Sequence, residues 1–182
     1  MFGFIDNDRA YYSTPSVSSL IVKNPDLEQT GENSCAIGSI AGTISFGYLF
    51  NCGVEGGTVA GNDNVGGLVG QTLHNTARIY ACYNAGTAVF GDMLAGGVLG
   101  GGTAASPELG EVESCFNTGT VTGTDTFGSV FGECGTYGAC VYLDTSCPDG
   151  YNYGISCTAE QFRNGYAASA LSFDGYQRWQ YN

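Results

Sequence analysis

The sequence predicts an all-β chain, a parallel β-helix or β-solenoid of about five coils with a short helical C-terminal cap. Three observations predict it. A six-residue pattern occurs four times, from Ile37 to Gly42, Val65 to Gly70, Ala95 to Gly100 and Phe127 to Gly132, with starts 28, 30 and 32 residues apart. A cysteine landmark at Cys52, Cys82, Cys115 and Cys140 runs in phase with it. The apolar pieces are short and separated by glycine and polar clusters, which is strand punctuation and leaves no room for helices.

Residues 1–36 read as the first, incomplete coils. Met1 to Ile5 resembles the tail of a hexamer, and Val17 to Val22 resembles a cysteine-bearing strand with Leu20 in the cysteine position. The chain therefore reads as a piece of a longer repeat protein. The residues after Met1 lack the basic and apolar stretches of a signal peptide.

Residues 37–145 carry the repeats. Each reads as one coil of two or three short strands, and stacked coils share one continuous core. At a strand spacing of roughly 4.8 Å, about five coils build a column on the order of 24 Å tall. The glycines ending each hexamer fit corners that need positive φ or close backbone approach. Alternation puts Leu68 and Val69 on opposite faces without saying which faces inward. Gly57-Thr58, Gly86-Thr87 and Gly119-Thr120 mark a further corner.

Residues 146–182 read as an aromatic-rich cap, needed because a last coil exposes apolar side chains and unpaired strand edges. Thr158-Ala-Glu-Gln161 has capping-box form and predicts a short helix ending near Asn164-Gly165, with a second from Ala167 to Leu171.

Composition narrows function. Five Lys+Arg against 17 Asp+Glu give a net charge of -12, which disfavours nucleic acid and anionic membrane surfaces. No apolar run approaches the roughly 20 residues that span a bilayer. Hydrophobic residues at 43% exclude a disordered chain, and the 30 glycines lack collagen's period of three. Eight cysteines, an even number, are compatible with an oxidising compartment.

The stretches VGGLVG at 65–70, CYNAGT at 82–87 and CFNTGTVTG at 115–123 resemble GLUG-motif repeats. The ending, with Val141 to Thr145, Thr158 to Phe162 and Trp179, resembles those proteins too. Ser39 and Ser129 depart from the motif at its second glycine. Such repeats occur in bacterial surface and secreted proteins, including adhesins and the stalks of immunoglobulin A-cleaving peptidases. The resemblance implies a right-handed solenoid outside the cell or on its surface. It implies a non-catalytic stalk or adhesive segment, with a protein or glycan partner or self-association through the solenoid ends. A carbohydrate-active β-helix enzyme, or an accessory domain of a secreted peptidase, is the alternative.

Candidate site residues fall into four groups. Cys52, Cys82, Cys115 and Cys140 suit a buried structural ladder, since in-register side chains point the same way and disfavour disulfides. Cys147 and Cys157 bracket a Pro-Asp-Gly turn and form a candidate loop-closing disulfide; Cys134 with Cys140, or Cys35 with either, are further pairings. Asp63, Asp92 and Asp125 fall in corresponding turns and form a candidate calcium site, although solvated turn acids are the favoured reading. Thr58, Thr87 and Thr120 align, and Tyr80, Tyr83 and Phe116 are candidates for carbohydrate or protein contact or for stacking between coils.

No catalytic residue is assigned. The single histidine, His74, reads as a solvated loop residue, and HExxH is absent. Arg78 is the one basic residue between 37 and 143, too few for cleaving acidic polysaccharide. Glu108, Glu111 and Glu113 read as a polar insertion loop rather than a glycosidase pair, and residues 103–113 as the part freest to meet a partner.

Overall fold

A computed structural model describes residues 2–6, 15–29, 31, 36–102 and 110–171. The described residues form a parallel β-solenoid of five sheets, followed by two short helices. One turn consists of five strands, not two or three: Val69–Thr72, Ala77–Tyr80, Tyr83–Ala85, Ala88–Gly91 and Leu94–Gly96. Each strand pairs in parallel with its counterparts in the turns before and after. We number the sheets I to V in that order.

Sheets I, IV and V hold four strands each, sheet II five and sheet III six. About three full turns, from Ala41 to Gly128, lie between partial turns. The expected count of about five coils is reached only where sheets II and III extend past the complete turns. At the beginning, Phe2 pairs with Ala41 and Ile21 with Gly53, so Leu20 does precede Gly53's partner as Cys52 precedes Gly53.

The hexamer spans two strands and the corner between them, so two or three strands per repeat fall short of the five present. Asn64–Gly66 ends sheet V's strand, Gly67 and Leu68 turn, and Val69 opens sheet I's. Leu68 and Val69 are consequently both fully buried, because the chain bends where alternation would have reversed them. The corner glycines answer to close approach. A Cβ on Gly66 would lie 1.8 Å from the Val69 carbonyl oxygen, and one on Gly67 2.1 Å from that of Gly97. The glycines that end the hexamers do not have positive φ. Left-handed residues stand instead at Ser19 before Leu20 and at Asn51, Ala81 and Ser114 before the cysteines, with φ of 57°, 51°, 49° and 52°, and at Asn24 with φ of 47°.

The interior is two apolar columns rather than one. The larger joins sheets I, II and III through Leu49, Ile79, Val112, Leu68, Val98 and the cysteines. The smaller joins sheets IV and V through Val59, Val89, Val121, Val65 and Ala95, with Cys147 at its end. Between them lie Asn84 and Asn117, both fully buried. The Asn84 amide donates to the carbonyls of Thr87 on its own corner and Gly97 on the opposite wall, each at 3.0 Å, and its oxygen accepts from the Thr87 N–H. Asn117 closes its corner through Gly119 N–H and carbonyl, both at 2.9 Å. Backbone groups that would be orphaned in a narrow interior are thereby satisfied.

The helices are α1, Ala159–Arg163, and α2, Tyr166–Ala170. Thr158 and Gln161 form the capping box, and Gly165 takes φ of 85° between the helices. They do not lie across the end of the column. Ala167 and Leu171 pack with Val141, Cys157, Phe116 and Phe162, whereas Cys140 and Tyr142, the neighbours of Val141, face the large column. Alternation therefore puts the helices on the outer face of sheet III. The last turn carries an aromatic cluster, with Phe131 stacked on Tyr153 at 5.5 Å and Tyr137 beside both. Phe173 and Trp179 lie outside the described residues.

Candidate functional site

The cysteine register is read from the pairing of the residues that follow: Gly53, Tyr83, Phe116 and Val141 oppose one another in sheet III. Cys52, Cys82, Cys115 and Cys140 thus occupy one column, and all are buried. Each thiol points back at sheet II one turn earlier, reaching the carbonyl of Val17, Leu49, Ile79 and Val112 in turn, at 3.5–3.7 Å. Cys52 N–H meets the Cys82 sulfur at 3.5 Å, and Cys82 N–H the Cys115 sulfur at 3.4 Å. Cys52, Cys82 and Cys140 hold their protons. The hydrogen bond with Cys82, then burial, pushes the Cys52 thiol far up, and burial does so for Cys82. Burial raises Cys140 to about 12. A neutral, enclosed thiol is neither a nucleophile nor a soft-metal ligand.

Cys134, Cys147 and Cys157 are free thiols as well. Cys147 seals the small column, while Cys157 packs beneath the helices, so the expected disulfide is replaced by two separate apolar contacts. Cys134 and Cys140 are likewise unpaired, and Cys35 lies outside the described residues. Burial pushes the Cys134 thiol up to about 12.

The acidic and threonine columns shift out of line. Asn64, Leu94 and Thr126 share a register, which aligns Asp63 with Met93 and Asp125 and leaves Asp92 one position off. Asp92 instead accepts from the Thr124 hydroxyl at 3.2 Å. Among the described residues no three His, Cys, Asp or Glu side chains gather where a metal could sit, so the calcium expectation finds no cage. Thr58 pairs with Ala88, and Val121 pairs with Val89, so Thr87 stands one place before Thr58 and Thr120. Thr87 is fully buried, its hydroxyl donating to the Gly56 carbonyl at 2.7 Å. One residue fewer between Asn117 and Val121 than between Asn84 and Val89 accounts for Thr120, whereas Thr58 differs from Thr87 at equal spacing, with Gly57 in the place of Thr87.

His74 stacks on Phe46 with ring centroids 4.3 Å apart, a packed turn residue rather than a solvated one. Tyr83 and Phe116 stack at 5.3 Å on the outer face of sheet III, and the Tyr83 hydroxyl donates to Glu55 at 3.0 Å. Burial, then that carboxylate, raises the Tyr83 phenol to about 12. Lys23, then Tyr83, holds the Glu55 carboxyl below its ordinary range.

The densest outward chemistry lies on sheet II. Glu111–Glu113 is a strand, not a loop, because Val112 enters the large column and the carboxylates alternate outward. Register stacks Ser16, Tyr48, Arg78 and Glu111 in one file, and Ser18, Phe50, Tyr80 and Glu113 in the next. Arg78 and Glu111 pair at 2.5 Å, and the Tyr80 hydroxyl donates to Glu113. Tyr48 and Phe50 stay 38% and 48% exposed. Over them runs a groove of about 530 Å³, lined by Ser16, Ser18, Tyr48, Phe50, Arg78 and Tyr80. Sequence reading singled out Tyr80 and missed Tyr48 and Phe50, whose period-2 spacing was the available signal. Glu108 and the rest of 103–109 lie outside the described residues.

No family model matches the chain, and no curated protein matches it. Among solved structures it is similar to one described as "a putative immunoglobulin A1 protease from Bacteroides ovatus", at a TM-score of 0.66 and 18% identity. The match covers 94% of this chain. This is a likeness of fold. The chain spans 57% of the length of that protein.

Proposed function

We propose that this chain is a non-catalytic structural and adhesive β-solenoid segment of an extracellular or cell-surface protein, a stalk that presents a lateral binding surface. The observation that carries the reading is the division of labour in each turn. The cysteine ladder, Asn84 and Asn117 are consumed in the interior, while exposed aromatic, guanidinium and carboxylate groups are ranked on the outer face of sheet II. The mechanism is geometric: parallel ladders stiffen the column and hold outward side chains at rung spacing. The GLUG-like repeats support a surface location. The fold shared with the Bacteroides ovatus protein favours a second reading, an accessory domain of a secreted peptidase. Association of rungs end to end is a further mode for such a stalk.

Protease shaving and antibody labelling of intact source cells test the reading. Labelling without lysis is expected, and retention inside the cell would overturn it. Purified chain incubated with immunoglobulin A and with neutral and acidic polysaccharides is expected to leave all of them intact. Cleavage that co-purifies with the chain would make it an enzyme.

A further inference from the structure

We infer that the groove on the outer face of sheet II binds a neutral glycan. The inference rests on the binding-surface reading above and names its ligand class and place. Tyr48 and Phe50 lie two residues apart on one strand, so both rings project from the same face, and Tyr80 adjoins Phe50 on the next rung. Exposed rings lining a groove give an apolar platform for the C–H faces of a pyranose.

The polar groups around the platform select what else the ligand carries. Arg78 pairs with Glu111, and Tyr80 with Glu113, so donors and acceptors stand pre-oriented on the rungs beside the rings. Hydroxyls can donate to the carboxylates and accept from the guanidinium without breaking either pair, since a carboxylate accepts several hydrogen bonds and a guanidinium donates five. Charge decides between ligands. One cation against two anions leaves the face acidic, on a chain of net charge -12. An acidic polysaccharide or nucleic acid would be repelled, and a ligand bearing only hydroxyls needs no counter-charge. Ser16 and Ser18 continue the two files as small polar residues, so among the described residues the groove runs on along the column for an extended chain.

Affinity electrophoresis and calorimetry with soluble glucan, mannan, galactan and xylan, and with polygalacturonate as the acidic comparison, test the inference. Binding to at least one neutral polymer is expected, weakened roughly tenfold or more in Tyr48→Ala/Phe50→Ala, because aromatic anchors dominate such contacts. Phe90→Ala, an exposed ring on sheet IV, is expected to bind like the parent. Both variants are expected to melt with the parent, since these rings face outward. Binding to none of the neutral polymers, to polygalacturonate alone, or equally by the double variant would overturn the inference. So would a double variant that changes only the oligomeric state, which would make the face an interface between copies. Loss of glycan binding leaves the surface-labelling result untouched, whereas hydrolysis of a bound polymer would overturn the non-catalytic reading and leave the groove assignment standing.

Discussion

Asn84 ties opposite walls of the solenoid together. It is fully buried, bridges the two apolar columns and satisfies three backbone groups. Asn84→Ala leaves those groups unpartnered at about 1–3 kcal/mol each, so urea unfolding is expected to show a loss of about 3 kcal/mol or more. The thiols act on pH. Cys140 has its proton held from an ordinary 9.0 up to about 12, so between those values the unfolded chain has released a proton that the folded chain keeps. Stability is therefore full below pH 9 and falls above it by about 1.4 kcal/mol per pH unit for each such thiol. Thermal melts from pH 7 to 11 are expected to fall on the alkaline side, with a shallower slope in Cys140→Ala.

Corners, not strands, determine how the elements sit. Gly67 has no room for a Cβ, which would meet the Gly97 carbonyl oxygen at 2.1 Å and the Asn84 amide at 2.9 Å. The nearest obstruction is backbone, which cannot swing aside as a flexible side chain can. Gly86 is the contrasting case, open to solvent with φ of 83°. Gly67→Ala is expected to cost about 4 kcal/mol or more. Gly86→Ala is expected to cost about 1–2 kcal/mol, the strain of a left-handed alanine. Denaturant midpoints measured side by side check both. Reversal of the order would show that conformational strain outweighs steric exclusion here. The same corners give the hexamer the look of one strand: two strands share it, and only a small residue marks the bend, Gly67 or Gly97 in the middle copies and Ser39 or Ser129 in the outer ones.

As a whole molecule the solenoid is held by nearest-neighbour turns, so a turn is its removable unit. Val65 and Ala95 share a register, and deleting residues 65–94 splices one turn cleanly. The shortened chain is expected to keep its β circular dichroism and to lose one rung, about 4.8 Å, by small-angle scattering. Deleting 65–79 joins strands of different sheets and is expected to unfold the chain. Loss of β structure in both deletions would show that stability is not local to neighbouring turns.

Period, parallel pairing, the cysteine register and the α1 capping box were legible in the sequence, because each repeats or has a local signature that needs no distant partner. The number of strands per turn, the two columns, the outward strand of Glu111 and Glu113, and the lateral seat of the helices were decided by tertiary structure. Their causes are non-local: a carbonyl one turn away excludes a Cβ, and an opposite wall receives an asparagine amide. A single missing residue before Val121 moves Thr120 away from Thr87 while leaving the next valines in line, because buried side chains hold register more strongly than exposed turns do.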